Sequence, residues 1–181
     1  MLCASRARAH RYLAASDAFK DETILLLKVA YGGTTLGDDW RPPSSVAAAG
    51  GEVGWCYTNM TTIVPAVLAN ISALFPAYTA EAFPDGWEIT GLGWDQGWND
   101  GEDEAHVAEY AANLKNLVRD IRAEFDVPAL PVSIPISGFG GWGQNIDRRL
   151  GIMAAQCDIS YLARASASLD GYFFAMKTSR S

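Results

Sequence analysis

Four short aliphatic stretches, each closed by a turn or by the end of a periodic pattern, constrain the architecture most. Residues 23–30 are almost continuously aliphatic and run into Tyr31-Gly32-Gly33. Residues 89–94 form a second stretch, ended by Asp95-Gln96-Gly97, and residues 130–136 a third, opened by Pro128 and Pro131 and closed by Ser137-Gly138. Residues 172–176 form a fourth. Continuous apolar runs of this length read as strands buried on both faces. Between them the apolar period changes to three and four: Leu114, Leu117, Val118, Ile121 and Phe125 share one face, which predicts an amphipathic helix over residues 104–125. Glu102, Asp103 and Glu104 stand at its start, where they favour the positive end of the helix dipole. A second helix is predicted over residues 58–74 with an interruption near Pro65, a third over residues 146–165, and a loop of small residues over 47–51. Strands alternating with helices pair in parallel through right-handed crossovers, so the expectation is an α/β domain with helices on both faces of one sheet. No internal repeat or low-complexity run divides the chain, and residues 1–181 are expected to form a single domain.

Composition narrows the function classes. The chain has 14 Lys and Arg against 21 Asp and Glu, a formal net charge of −7, and its basic residues form no patch. Nucleic acid is therefore not expected as a partner, because sequence-independent binding to phosphates needs clustered cations. No apolar run approaches the roughly 20 residues that cross a bilayer, so no membrane partner is expected either. Arg6, Arg8 and Arg11 precede the first acid, Asp17, in the manner of a transit peptide, but no apolar core of a secretory signal accompanies them. Cys3, Cys56 and Cys157 have no CxxC spacing and read as buried thiols. Two distant histidines and no paired cysteines make a zinc site improbable. The acids from Asp95 to Glu104 do not fit a calcium-binding loop, because Asp100 stands where glycine and His106 where glutamate would be required. No cofactor is expected.

In α/β folds ligands sit beyond the carboxyl ends of the strands. Two unusual loops fall there, Tyr31-Gly32-Gly33-Thr34-Thr35 and Trp94-Asp95-Gln96-Gly97-Trp98-Asn99-Asp100. A pair of glycines serves a tight turn, and a bare backbone also lets an N–H approach a ligand oxygen. Amides beside tryptophan walls suit sugar recognition, and an Asn amide can donate to a developing oxyanion.

These loops carry a resemblance. Leu26-Leu27-Lys28-Val29-Ala30-Tyr31-Gly32-Gly33-Thr34-Thr35-Leu36, Asp39-Trp40-Arg41-Pro42-Pro43-Ser44-Ser45 and Trp94-Asp95-Gln96-Gly97-Trp98-Asn99-Asp100 resemble the sialate O-acetylesterase and carbohydrate acetylesterase branch of the SGNH hydrolases. Gly97-Trp98-Asn99-Asp100 also fits that superfamily's GxND block, and the similarity spans roughly residues 25–156. The resemblance implies a three-layer α/β/α, flavodoxin-like fold with a parallel sheet of order 2-1-3-4-5. It further implies hydrolysis of O-acetyl esters on an acetylated carbohydrate by a serine nucleophile, a histidine base and an orienting aspartate, without metal or organic cofactor. The oxyanion is then held by backbone and side-chain N–H groups, which fall on Gly33, with Gly32 as the near alternative, and on Asn99. Gln96 shares the second loop and is a candidate substrate contact. Arg41 is a candidate for a sugar or acid group, or for a structural ion pair.

The departures from the pattern are as informative. Ser5 and Ser16 lack the GQSN-like context of the nucleophile, and no Asp-x-x-His block follows the fourth stretch. Asp103-Glu104-Ala105-His106 has that spacing, but it falls in the predicted first turn of the long helix, where His106 is expected to face solvent. His10 is expected to be structural. The expectation is thus an esterase domain lacking its serine-bearing first strand, carrying the oxyanion loops without nucleophile or base. The alternative from another class is a non-catalytic carbohydrate-binding protein or relic.

Overall fold

The computed structural model describes residues 24–77, 79–81, 83, 86–140, 143, 146–165 and 176–177. In order the elements are helix α1 (Pro43–Ala49), helix α2 (Trp55–Ala69), the short helix α3 (Ile71–Leu74), strand β1 (Glu88–Ile89), strand β2 (Leu92–Gly93), a 3-10 turn (Asp100–Glu102), helix α4 (Glu104–Glu124), strand β3 (Val132–Ser133), helix α5 (Asp147–Ala165) and strand β4 (Met176–Lys177).

The long helix follows its sequence pattern closely. Asp103 is its N-cap, its carboxylate accepting from the N–H groups of Ala105 and His106, which satisfies two of the donors that a helix start leaves free. Those two hydrogen bonds hold the Asp103 carboxyl below the ordinary carboxylate range. Tyr110, Leu114, Leu117 and Ile121, at helical spacing, are fully buried. Helix α4 packs against α5 and α1, and Ile152, Met153, Trp40, Met60 and Trp94 belong to the same core. No helix among the described residues is long and apolar enough to cross a membrane.

The sheet is smaller than the sequence suggests. Strand β2 pairs with β3 in parallel, Leu92 opposite Val132 and Gly93 opposite Ser133, and the Leu92 and Trp94 N–H groups donate to the Pro131 and Ser133 carbonyls. Strand β1, by contrast, pairs antiparallel with β4, so the described residues form no continuous parallel sheet. Of the expected fourth strand, residues 172–175 lie outside the described residues.

Residues 24–30 are in no ladder, although a buried strand is expected there. Their packing retains a strand period: Leu25, Leu27, Val29 and Tyr31 lie against the core, the alternation that a pleated chain produces. The backbone has strand-like sidedness but no paired neighbour among the described residues.

Two helical expectations are corrected. Residues 47–49 close helix α1 rather than form a loop. Pro43 occupies its first turn, where the missing N–H costs nothing, and Gly50 ends it with a positive φ of 81°. Pro65 does not interrupt α2; the break falls at Asn70, whose φ and ψ are −110° and 20°, and whose side-chain amide donates to the Ala66 carbonyl. Cys56 is buried and unpaired, and Cys157 is unpaired and partly exposed. Burial, assisted by the charge of Asp39, pushes the Cys56 thiol up to about 11. Cys3 lies outside the described residues.

Candidate active site

The two glycine-bearing loops meet. In the first, Gly33 has a φ of 75°, a conformation that costs a side-chain-bearing residue of the L series about 1–2 kcal/mol. Thr34 Oγ1 donates to the Tyr31 carbonyl across this turn, at 3.0 Å. A methyl group built on Gly33 would lie 3.9 Å from Asn99 Nδ2, so the Asn99 amide stands directly beside the Gly33 backbone. Asn99 Nδ2 donates to the Thr34 carbonyl at 3.4 Å. An amide nitrogen has two hydrogens, and the second has no acceptor among the described residues. Gly32 is exposed, with nothing within 4 Å of where a Cβ would be.

What fixes this arrangement is Asp100, fully buried beneath the loops. The Leu36 N–H donates to both of its oxygens, at 3.0 and 2.9 Å, and the Gly37 N–H donates to Oδ1 at 3.0 Å. Gln96 Nε2 donates to Oδ2 at 2.5 Å and to the Thr34 carbonyl at 3.1 Å. Asp39 Oδ2 accepts from the Thr35 N–H at 2.9 Å. Every backbone polar group that these contacts reach on residues 34–37 is tied to a side chain from another position, while the adjoining Gly33 N–H donates to no described residue. A donor held this way loses little entropy when it meets an acceptor.

The second loop is anchored from below by Gln156. Its Nε2, with two hydrogens to share, lies within hydrogen-bond distance of the Gln96 carbonyl at 2.8 Å, Tyr110 Oη at 3.2 Å and Ser137 Oγ at 3.0 Å, and its Oε1 accepts from the Ser137 N–H at 2.7 Å. Tyr110 Oη also donates to the Gln96 carbonyl at 2.8 Å. Burial pushes the Tyr110 phenol up to about 12, so it stays protonated and remains a donor at neutral pH. Trp98 is more than half exposed, stacks on Phe139 with ring centroids 5.0 Å apart, and has the Arg149 guanidinium 5.8 Å from its ring centre.

The remaining sequence candidates fall differently. Gln96 is in the site, but its side-chain nitrogen binds the Thr34 carbonyl and Asp100. Arg41 is 8 % exposed; its Nη1 donates to the Gly37 carbonyl at 3.0 Å and to Glu109 Oε2 at 2.5 Å, and its Nε to the Gly50 carbonyl at 3.1 Å. His106 does not face solvent as expected. Its ring packs so closely over Gly37 that a Cβ there would overlap it, and Nε2 pairs with Asp38 Oδ2 at 3.1 Å. The bare Gly37 backbone makes the space that draws the imidazole inward. Asp100, Asp39 and Gln156 organise the two loops and are not among the sequence candidates; their partners are largely backbone groups, which residue types do not announce.

Among the described residues no serine hydroxyl is hydrogen-bonded to a histidine. Ser44 donates to Asp120, Ser45 accepts from Asn116, and Ser137 accepts from Gln156. Ser5, Ser16 and His10 lie outside the described residues. No group of three or more His, Cys, Asp or Glu residues gathers as a metal site would among the described residues.

The Arg41–Glu109 pair makes a pH-dependent contribution. The hydrogen bond from Arg41, with its charge, holds the Glu109 carboxyl below its ordinary value of 4.5. A carboxyl lowered on folding contributes stability that is present above its unfolded value and is lost as pH falls through the folded one. Glu109→Gln is therefore expected to flatten the fall of Tm below about pH 4.5, measured as thermal melts across that range. The effect is small, because the Glu109 side chain is 45 % exposed. A melt series with an unchanged acid limb would remove Glu109 from the account.

The structure thus joins a parallel strand pair, a glycine turn and an Asn-bearing loop that follows strand β2. The chain belongs to the family described as carbohydrate esterase, sialic acid-specific acetylesterase, which it matches over residues 6–147. Neither a curated protein nor a solved structure matches it. Carbohydrate acetylesterase is thus the activity of the family, and acetylated carbohydrates its substrates.

Proposed function

We propose that Gly33 and Asn99 form the acyl-oxygen pocket of an SGNH-type carbohydrate O-acetylesterase, within one domain of three-layer, flavodoxin-like order spanning residues 1–181. The observation that carries this reading is the Asn99 amide beside a left-handed Gly33 whose N–H has no described acceptor. Two such donors stabilise the negative oxygen of a tetrahedral intermediate, and they act best when held in place before the reaction. Gly32 shares the turn. Gln96 serves the site by bridging the loops through Thr34 and Asp100, and Arg41 by holding the Gly37 carbonyl.

Nucleophile and base are not assigned. His106 is committed to Asp38 and Asp103 to the start of α4, so their Asp-x-x-His spacing serves helix capping and loop packing. Loss of a triad nucleophile or base lowers kcat by about six orders of magnitude. With no nucleophile or base assigned, this chain is accordingly expected to release p-nitrophenol from p-nitrophenyl acetate no faster than its Asn99→Ala variant. Turnover that Asn99→Ala reduces would mean that a serine and a histidine of this chain had been overlooked. The pocket itself is tested without turnover. Titrating acetate into the nitrogen-15-labelled protein should move the Gly33 amide and Asn99 side-chain resonances saturably, and Asn99→Ala should weaken the response. Resonances that stay still at saturating acetate would refute the assignment.

A further inference from the structure

A cavity of about 500 Å³ has Asp38, Asp39, Arg41, Glu52, Val53 and Trp55 in its walls. That volume suits a sugar ring with its substituents. Trp55 is 48 % and Val53 40 % exposed, so the cavity offers an aromatic and an aliphatic surface to an occupant. Trp55 is also held in place: its Nε1 donates to Asp39 Oδ1 at 2.7 Å, and its ring packs on Tyr31 with centroids 4.6 Å apart. Tyr31 directly precedes Gly32 and Gly33, and the other Asp39 oxygen accepts from the Thr35 N–H. One carboxylate thus ties the cavity wall to the turn proposed to hold the acyl oxygen.

The charge of the cavity is one-sided. Asp38, Asp39 and Glu52 are carboxylates, and Arg41 is the one arginine or lysine in the wall. The Arg41 guanidinium is turned into the protein and already paired with Glu109; His106 faces Asp38 from helix α4. Carboxylates accept hydrogen bonds from sugar hydroxyls, whereas a carboxylate on the ligand meets like charge, and such juxtaposition works against the wrong partner.

We infer that this cavity is the sugar subsite and that it selects an O-acetylated neutral sugar over an acetylated sugar acid. The inference rests on the acyl-oxygen reading of Gly33 and Asn99 only for the identity of the ester. It differs from the substrate in the family's description, because sialic acids carry a carboxylate.

The test is calorimetric titration of the full chain with an O-acetylated methyl glucoside and, separately, with O-acetylated N-acetylneuraminic acid. The glucoside is expected to bind roughly tenfold more tightly at low salt, and the gap should narrow as salt screens the carboxylates. Glu52→Gln with Asp38→Asn should bring the two ligands to within about twofold of each other. Trp55→Ala should weaken glucoside binding roughly tenfold, and Trp55→Phe, which keeps an aromatic ring, should restore most of it. Equal or tighter binding of the sugar acid overturns the inference, as does glucoside binding indifferent to Trp55→Ala in a variant with unchanged circular dichroism. The acetate titration separates the two readings. Sugar preference without an Asn99 response refutes the acyl pocket alone, and an Asn99 response without sugar preference refutes the subsite alone.

Discussion

Asp100→Ala is expected to destabilise the protein by about 3–5 kcal/mol, because it strands several buried donors at about 1–3 kcal/mol each. The donors are the Leu36 and Gly37 N–H groups and Gln96 Nε2. They come from two loops far apart in the chain, Leu36 standing 64 positions before Asp100, so the carboxyl is the joint between them. Water entering the vacated space recovers part of the loss, which keeps the figure below the full sum. For a chain of this length the change in Tm is on the order of 10 °C. Asp100→Asn should be milder: one oxygen still accepts, but the new NH₂ group opposes donors where an acceptor stood. Urea denaturation measures both variants, and amide hydrogen exchange at Leu36 and Gly37 should accelerate by more than the global destabilisation alone explains. An Asp100→Ala protein as stable as the parent would show that the loops are joined some other way.

The same residue explains where sequence reading stops. Helix α4 is legible because its apolar spacing, its acidic start and its burial all agree at Tyr110, Leu114, Leu117 and Ile121. The β2–β3 pairing is legible for a similar reason, since an apolar run between turn residues has few alternatives. Asp100 is different. A carboxylate that bonds to backbone N–H groups has no complementary side chain elsewhere in the sequence, so nothing in the residue types announces the contact. Local composition misleads in a second way at residues 47–49, where three alanines look like loop filler until Pro43 and Gly50 are read as the ends of a helix. At Pro65 the rule that proline breaks helices is outweighed by the packing of Cys56, Tyr57, Met60, Val64 and Leu68 on one face. Residues 24–30 reverse the case: the continuous apolar run reads as a strand buried on both faces, whereas Leu25, Leu27 and Val29 lie only partly buried against the core and no ladder forms, because a ladder needs a second backbone, which no single segment encodes. For the site, Gly33 and Asn99 come from the resemblance of their two loops to the family's motifs, and the structure places the Asn99 amide beside the Gly33 backbone.

Gly97→Ala is expected to cost about 2–5 kcal/mol, combining backbone strain of about 1–3 kcal/mol with overpacking of similar size. Gly97 has a φ of 142°, and a methyl group there would lie 2.7 Å from Gln156 Nε2, 2.9 Å from Ile152 Cγ2 and 2.9 Å from Ser137 Oγ. A flexible side-chain tip can ordinarily retreat, but Gln156 Nε2 is held by the Gln96 carbonyl, Tyr110 and Ser137 at once. Moving it abandons those bonds inside the core, where Gln156 and Ile152 are fully buried. The cost therefore has a signature that separates clash from strain. Gln156→Ala removes the obstructing amide and is itself destabilising, so Gly97→Ala added to that background should cost about 1–2 kcal/mol less than in the parent, a coupling read by a double-mutant cycle in urea. Strict additivity would place the effect in the backbone and in the contacts with Ile152 and Ser137 rather than in Gln156. Either component displaces Asn99, two residues on, relative to Gly33, and a shift of about 1 Å is enough to lower a positioned group's contribution roughly a hundredfold. The acetate response of the Asn99 resonance should consequently fall in Gly97→Ala even where residual folding is high, a result that would tie Gly97 to the geometry of the proposed acyl pocket as well as to the packing beneath it.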